Sequence, residues 1–284
     1  MRGFSSLALW RVLKSKGDPR VLSVDKLPCG GLDRPSRSDG LVICRCGEMD
    51  SREIESILKQ NIESLEERIQ ESCRRASRDR GEIRLIAVTK YVGAEVARLL
   101  VSLGLKDLGE NRLQVAAPKL EALADLPVCW HWIGHLQTNK VKNALKSFHV
   151  FHSVDRPSLV EAFNQRRADS GQEPLPVYLQ VNVSGEESKF GTKAEEIEKL
   201  GEMILESPQL DWLGLMTMAP FEEDPEKTRP VFAGLREVRD RLEARFGISL
   251  PRLSMGMSND FEIAIEEGAT DLRIGTVLYE GLWG

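Results

Sequence analysis

A few short stretches carry residues whose types and spacing could do chemistry. The apolar run RLIAVTKYV, residues 84–92, reads as a buried strand that ends in Lys90. Lysine is costly to bury unless it is paired or chemically used. Lys90 is therefore either a strand end meeting water or an amine delivered to a site. KDLGEN brings Asn111 to a second strand end. Near the C-terminus, RLSMGMSNDFEIAIEEG sets Ser254, Gly256 and Ser258 just before a helical pattern, where Ser258 or Asn259 is placed to cap the helix. Small residues let backbone N–H groups approach an anion, and a helix N-terminus adds partial positive charge. DLRIGT then supplies Gly275 and Thr276, with Arg273 two residues earlier on the same face of a strand. A buried guanidinium needs an acceptor. Arg273 serves either a ligand or a structural ion pair.

The elements that must position these residues alternate. An amphipathic helix spans 49–78, with Ile54, Leu58, Ile62, Leu65, Ile69 and Cys73 recurring at steps of three and four. Strand patterns follow at 84–90, 106–111, 128–135, 150–155, 176–183, 210–218, 252–258 and 271–276. One helical pattern separates each from the next. Alternating strands and helices imply parallel strands with crossover helices. Eight such units predict a single α/β chain folded as a (β/α)8 TIM barrel, with the helix 49–78 as an extra N-terminal element. An open doubly wound sheet is the alternative, but no G-x-G-x-x-G follows the first strand.

Closing the barrel sets strand one beside strand eight. Lys90, the Gly/Ser/Thr cradle and Arg273 then share the C-terminal mouth, where such barrels carry their sites. An amine, a phosphate cradle and a guanidinium suit a phosphate-bearing aldehyde. Pyridoxal 5′-phosphate (PLP) would place its aldehyde on Lys90 as a Schiff base, its phosphate on the cradle and its ring nitrogen near Arg273.

Composition narrows the alternatives. The 284 residues are 41% hydrophobic and 29% charged, with net charge −5, which gives no general pull toward nucleic acid or membrane. No apolar run approaches the ~20 residues of a membrane span. Five scattered cysteines, an odd number, point to a reduced compartment and a cytoplasmic protein. Cys44 and Cys46 make half of a metal site with no second half, so no metal is expected. SMGMS is not a G-x-S-x-G elbow, and His131 and His135 are not an H-E-x-x-H pair, which argues against a serine hydrolase and a zinc protease. Lys140, Lys142 and Lys146 form a basic helix face, either simply solvated or a contact for a partner. Residues 1–48 show no periodicity and are expected to be a disordered extension, from a mis-assigned start or a targeting segment, with the barrel over 49–284.

IAVTK, GENRLQ, WHWIGHLQTNK, VNVSGEESKFG, LGLMTM and LSMGMSNDFEIAIEEGATDLRIGT together resemble the pyridoxal phosphate homeostasis protein family (YggS/PROSC-like). The likeness runs from about Met49 to Tyr279. It implies a fold-type III barrel of the alanine racemase N-terminal type, with Lys90 holding PLP. It assigns Arg273 to the pyridine nitrogen, Ser254 or Ser258, Gly275 and Thr276 to the phosphate, and Asn111 to the cofactor's surroundings. It matches Lys189 to a family lysine in cofactor handling, with an ordinary exposed lysine as the alternative. An arginine at the pyridine nitrogen leaves the ring a poorer electron sink. Racemisation also needs a base on each face, and none of Tyr91, Tyr178 and Tyr279 is an obvious second base. The expected function is therefore PLP homeostasis, buffering the cofactor and delivering it to apo-enzymes as a monomer without substantial turnover. The alternative is a weak amino-acid racemase or lyase.

Overall fold

The computed structural model describes residues 49–186 and 190–282. The expectations for residues 1–48, Cys44 and Cys46 among them, and for Lys189 fall outside the described residues. Helix α1 spans Ser51–Arg75. The strands are β1 Arg84–Val88, β2 Asp107–Glu110, β3 Cys129–Trp132, β4 Val150–Val154, β5 Leu175–Gln180, β6 Leu210–Met216, β7 Arg252–Ser254 and β8 Asp271–Ile274. Between them run α2 Ala94–Ser102, α3 Leu113–Ala122, α4 Val141–Ala144, α5 Pro157–Ser170, α6 Ile197–Leu205, α7 Arg229–Phe246 and α8 Phe261–Glu266. The strands pair in parallel in chain order, and β8 pairs β1, so the expected barrel closes.

Alternation along each strand divides the interior into two layers. Ala87, Leu108, Trp130, Phe151, Val177, Leu215, Leu253 and Leu272 belong to the large core shared with the helices. Val150, Tyr178 and Met216 form a separate, smaller cluster. Fully burying one such large apolar side chain contributes roughly 1.5–3 kcal/mol, so the outer layer dominates the stability. The second set of positions can then carry polar groups.

Helix α1 begins at a capping box, in which Asp50 accepts from the Arg52 and Glu53 amides and Glu53 accepts from the Asp50 amide. It is tied to the β8 side of the barrel. Asn61 Nδ2 donates to the carbonyls of Leu278 (3.1 Å) and Glu280 (2.9 Å), and Arg78 Nη1 donates to those of Ile265 and Ala269. The extra helix thus buttresses the chain that follows the RIGT stretch.

Two local expectations are corrected. The strands at the mouth stop sooner than their apolar patterns suggest: β1 ends at Val88, β7 at Ser254 and β8 at Ile274. The Thr89 amide still bonds to the Gly109 carbonyl, but Lys90 already lies in a turn. Neither Ser258 nor Asn259 caps α8. Asp260 is its N-cap residue and accepts instead from the Met257 amide at 2.7 Å.

Candidate functional site

Lys90 lies two residues past the end of β1, half-buried, with its ammonium 4.7 Å from the Tyr91 ring centroid. The backbone beneath it is held from three sides. Tyr279 Oη donates to the Val88 carbonyl at 3.0 Å. The Thr89 amide donates to Gly109, and Lys119 Nζ donates to the Thr89 carbonyl. Lys119 is 2% exposed and pairs with the fully buried Glu110 carboxylate, which also accepts from Thr89 Oγ1 at 2.6 Å. A buried ion pair thus fixes the end of the strand from which Lys90 projects.

Register places the other candidates around that amine. Ala87 pairs with Ile274, so Gly275 sits beside Val88, two residues before Lys90. A Cβ on Gly275 would lie 3.5 Å from Val88 Cβ. Val88 also pairs with Gly109, and Asn111 follows two residues on. Asn111 is set by Gly134, where a Cβ would come within 2.6 Å of the Asn111 carbonyl oxygen, so only glycine fits without displacing it. Ser258 Oγ accepts from the amides of Gly275 (3.2 Å) and Val277 (3.4 Å). These two N–H groups converge on an oxygen, as they would on an anion's. Thr276 beside them is exposed. Gly256 turns the chain from β7 toward α8 at φ +92°, where an added Cβ would also come 2.7 Å from Ala264 Cβ.

Ser254 is separated from that cradle. It is fully buried and links Arg273 to a chain of side chains across the lumen. Arg273 Nη1 donates to Ser254 Oγ (2.7 Å), and Nη2 donates to the Thr217 carbonyl (2.8 Å). Ser254 Oγ lies 2.8 Å from His152 Nδ1, His152 Nε2 lies 2.9 Å from His131 Nδ1, and His131 Nε2 lies 2.9 Å from Asp107 Oδ1. The Tyr178 ring stacks on His152 with centroids 4.2 Å apart and planes at 12°.

Asp107 anchors one end of this chain. Burial pushes its carboxyl up, but the hydrogen bond and charge of His131, with Arg84, bring it below the usual range. The carboxylate therefore accepts, and His131 carries a proton on Nε2. His131 Nδ1 then faces His152 Nε2, and His152 Nδ1 faces Ser254 Oγ, with the donor at each contact set by the imidazole tautomers. Burial and the charges of His131, Arg273 and Arg84 hold His152 well below the usual imidazole range. Ser254 Oγ accepts from the guanidinium at the other end. Burial pushes Arg273 down to about 10 against the pull of Asp260 and Asp271, so it stays charged at neutral pH. Asp107, Cys129 and His131 also converge within 4.8 Å. Arg84 supplies positive charge there, 3.9 Å from Asp107, and burial with the Asp107 charge pushes the Cys129 thiol up to about 11.

The expected residues thus fall into two groups. Lys90, Asn111, Ser258, Gly275 and Thr276 lie at the mouth. Arg273 and Ser254 lie deeper and touch each other. Sequence reasoning missed Asp107, His131, His152, Glu110 and Lys119. The signal for the histidines was present, since CWHW and VFHSV each place an imidazole in the middle of a buried strand.

A model of the alanine racemase N-terminal domain matches residues 60–282. The pyridoxal phosphate homeostasis protein of Aquifex aeolicus is 48% identical over 213 residues, covering 75% of this chain and 93% of that protein. The protein of the same name from Pseudomonas aeruginosa is 42% identical over 224 residues, covering 79% and 95%. The solved structure of PipY from Synechococcus elongatus with PLP bound superposes with a TM-score of 0.69 at 31% identity, covering 80% of this chain and 100% of that one. Alanine racemase from Corynebacterium glutamicum shares the fold at a TM-score of 0.61 and 15% identity, with 79% and 61% covered.

Proposed function

From the premise that the chain belongs to the alanine racemase N-terminal domain family, and within it to the pyridoxal phosphate homeostasis proteins, we propose that it binds PLP and acts in PLP homeostasis. The observation that carries this reading is Lys90 at the barrel mouth. Among the described residues its amine has no carboxylate partner, and it follows by two residues the position level with Gly275 and by four the position level with Arg273. Lys90 holds the aldehyde as a Schiff base. Ser258 and the amides of Gly275 and Val277 hold the phosphate, with Thr276 at its edge, and Asn111 borders the ring. Arg273 donates to the ring nitrogen, and Ser254 serves as its support. When bound, the cofactor supplies a reactive aldehyde and an electron-accepting ring.

A non-catalytic role is supported by the tyrosines. Tyr279 is buried and spends its hydroxyl on the Val88 carbonyl. Tyr178 is buried against His152. Both are too buried to act as a second base. The reading is a cytoplasmic monomer that buffers PLP and passes it to apo-enzymes, with the binding unit beginning at the helix that Asp50 caps. Among the described residues no helix is long and apolar enough to cross a membrane. Incubation of the PLP-loaded protein with single L-amino acids tests the role. The proposal expects chirality to be lost no faster than with free PLP, and sustained turnover well above that defeats it.

A further inference from the structure

A cavity of about 330 Å³ opens beside the mouth between the ends of β2 and β3. That is room for a small organic anion. Arg112, Gln114, Trp132, His135, Gln137 and Lys140 line it. Three independent features give it one chemical character.

The first is an orphaned donor. Trp132 is 3% exposed, and its indole Nε1 has no hydrogen-bond partner. An indole N–H can only donate, and a buried donor left unpaired costs about 1–3 kcal/mol. A ligand supplying an acceptor would remove that cost. The second is unpaired positive charge. Among the described residues neither Arg112 nor Lys140 has an ion-pair partner, whereas Arg98 and Arg156 nearby in the chain do. Of the carboxylates near the lining, Asp155 lies 3.4 Å from His135 Nδ1 and is neutralised by Arg156 at 2.6 Å, and Glu110, which pairs with Trp132 in register, is paired with Lys119. The third is the start of α3, a helix of ten residues that follows Arg112 with no side chain capping its first turn.

Donors, cations and a helix N-terminus, with the nearby acids already paired, describe an anion site. We propose that this cavity binds a phosphate monoester dianion noncovalently, the phosphate oxygens meeting Trp132 Nε1, Lys140 and Arg112, and the organic part covered by the amide side chains of Gln114 and Gln137. The site is distinct from the cradle at Ser258 and Gly275, which follows β7 and β8. Asn111 lines it, so it adjoins the Lys90 site at one residue. It stands whether or not Lys90 carries the aldehyde.

The test is a titration of ¹⁵N-labelled protein, loaded with PLP and reduced with borohydride so that the mouth is filled. The Trp132 Nε1–H cross-peak is assigned with Trp132→Phe. Inorganic phosphate and pyridoxine 5′-phosphate, which has no aldehyde, are the probes. The proposal expects that cross-peak to move saturably, with affinity falling roughly tenfold in Lys140→Ala and in Arg112→Ala, since each removes a charge-assisted hydrogen bond. Tighter binding of pyridoxine 5′-phosphate identifies the phosphorylated vitamer as the ligand, and equal binding identifies free phosphate; both support the site. The same response in Lys90→Ala protein keeps it independent of the Schiff base. A cross-peak that does not move, moves equally with chloride at matched ionic strength, or responds unchanged in both variants overturns the proposal.

Discussion

Lys119→Met removes the ammonium that neutralises Glu110 while keeping most of the side-chain volume. Both partners are buried, at 2% and 0% exposure, and one carboxylate oxygen, Oε2, is already without a partner. After the substitution Glu110 retains only the Thr89 hydroxyl, and the Thr89 carbonyl keeps only the Val92 amide as donor. Removing one partner of a buried pair costs about 3–5 kcal/mol, chiefly from the charge left behind. A domain has about 5–15 kcal/mol in total, so a large part of the stability is lost. For a domain of this size the midpoint of thermal unfolding should fall by roughly 6–20 °C. Urea denaturation of wild type, Lys119→Met, Glu110→Gln and the double variant completes a cycle. The double variant buries no charge and should recover most of the loss. Cofactor binding should weaken in the single variant and return in the double one, because the strand end under Lys90 is what the pair holds. A loss below about 1 kcal/mol in Lys119→Met, against the 3–5 kcal/mol expected, or a double variant no better than the single one, refutes the reasoning.

Ser254→Ala and Ser258→Ala should separate the two serines. Ser254→Ala leaves Arg273 Nη1 and His152 Nδ1 unpaired at a cost of about 1–3 kcal/mol in urea unfolding, whereas Ser258→Ala should mainly weaken PLP binding; the reverse pattern would exchange their roles. The neutral, buried His152 makes the fold sensitive to mild acid. Its proton affinity is depressed in the fold, so the unfolded chain binds protons first and stability falls once pH drops below about 6.5. His149, lowered mainly by burial, adds to that slope. Asp107 acts in a separate window. Its net shift is downward, so its contribution is present above the unfolded carboxylate range and is lost as pH falls through its lowered value. Unfolding midpoints between pH 7.5 and 5 should show a shallower slope in His152→Gln, and an unchanged slope removes His152 as the cause. Gly134→Ala forces a methyl against Asn111 and should cost about 1–3 kcal/mol by overpacking; calorimetry showing no loss would mean that the loop yields freely.

The barrel was legible because its outer layer is apolar and periodic. Runs such as RLIAV and LDWLGLM have one buried destination, and eight of them separated by helical patterns leave few arrangements. Lys90 and Gly275 were legible for a related reason, since closure of eight strands sets β8 beside β1 whatever the side chains do. The lumen was less so. Whether a polar residue in mid-strand meets water, a ligand or another strand depends on register, and register between sequence-distant strands is absent from local pattern. His131 and His152 stand 21 residues apart in the chain and Ser254 another 102; only the closed barrel brings them into line. Lys119 was hidden differently, because a single lysine within QVAAPKLEA looks like any helix surface residue until β1 and β2 are seen behind it. The capping role expected of Ser258 failed because the chain turns at Gly256 before α8 begins, which aims the serine at Gly275.

The most direct measurement is the visible spectrum of the purified protein after reconstitution with PLP, followed by borohydride reduction and peptide mapping, with Lys90→Ala beside wild type. The account predicts a Schiff-base band in wild type, a pyridoxyl label on the peptide containing Lys90, and loss of both in the variant. A band that persists unchanged in Lys90→Ala, or a label fixed on another lysine in wild type, would contradict it.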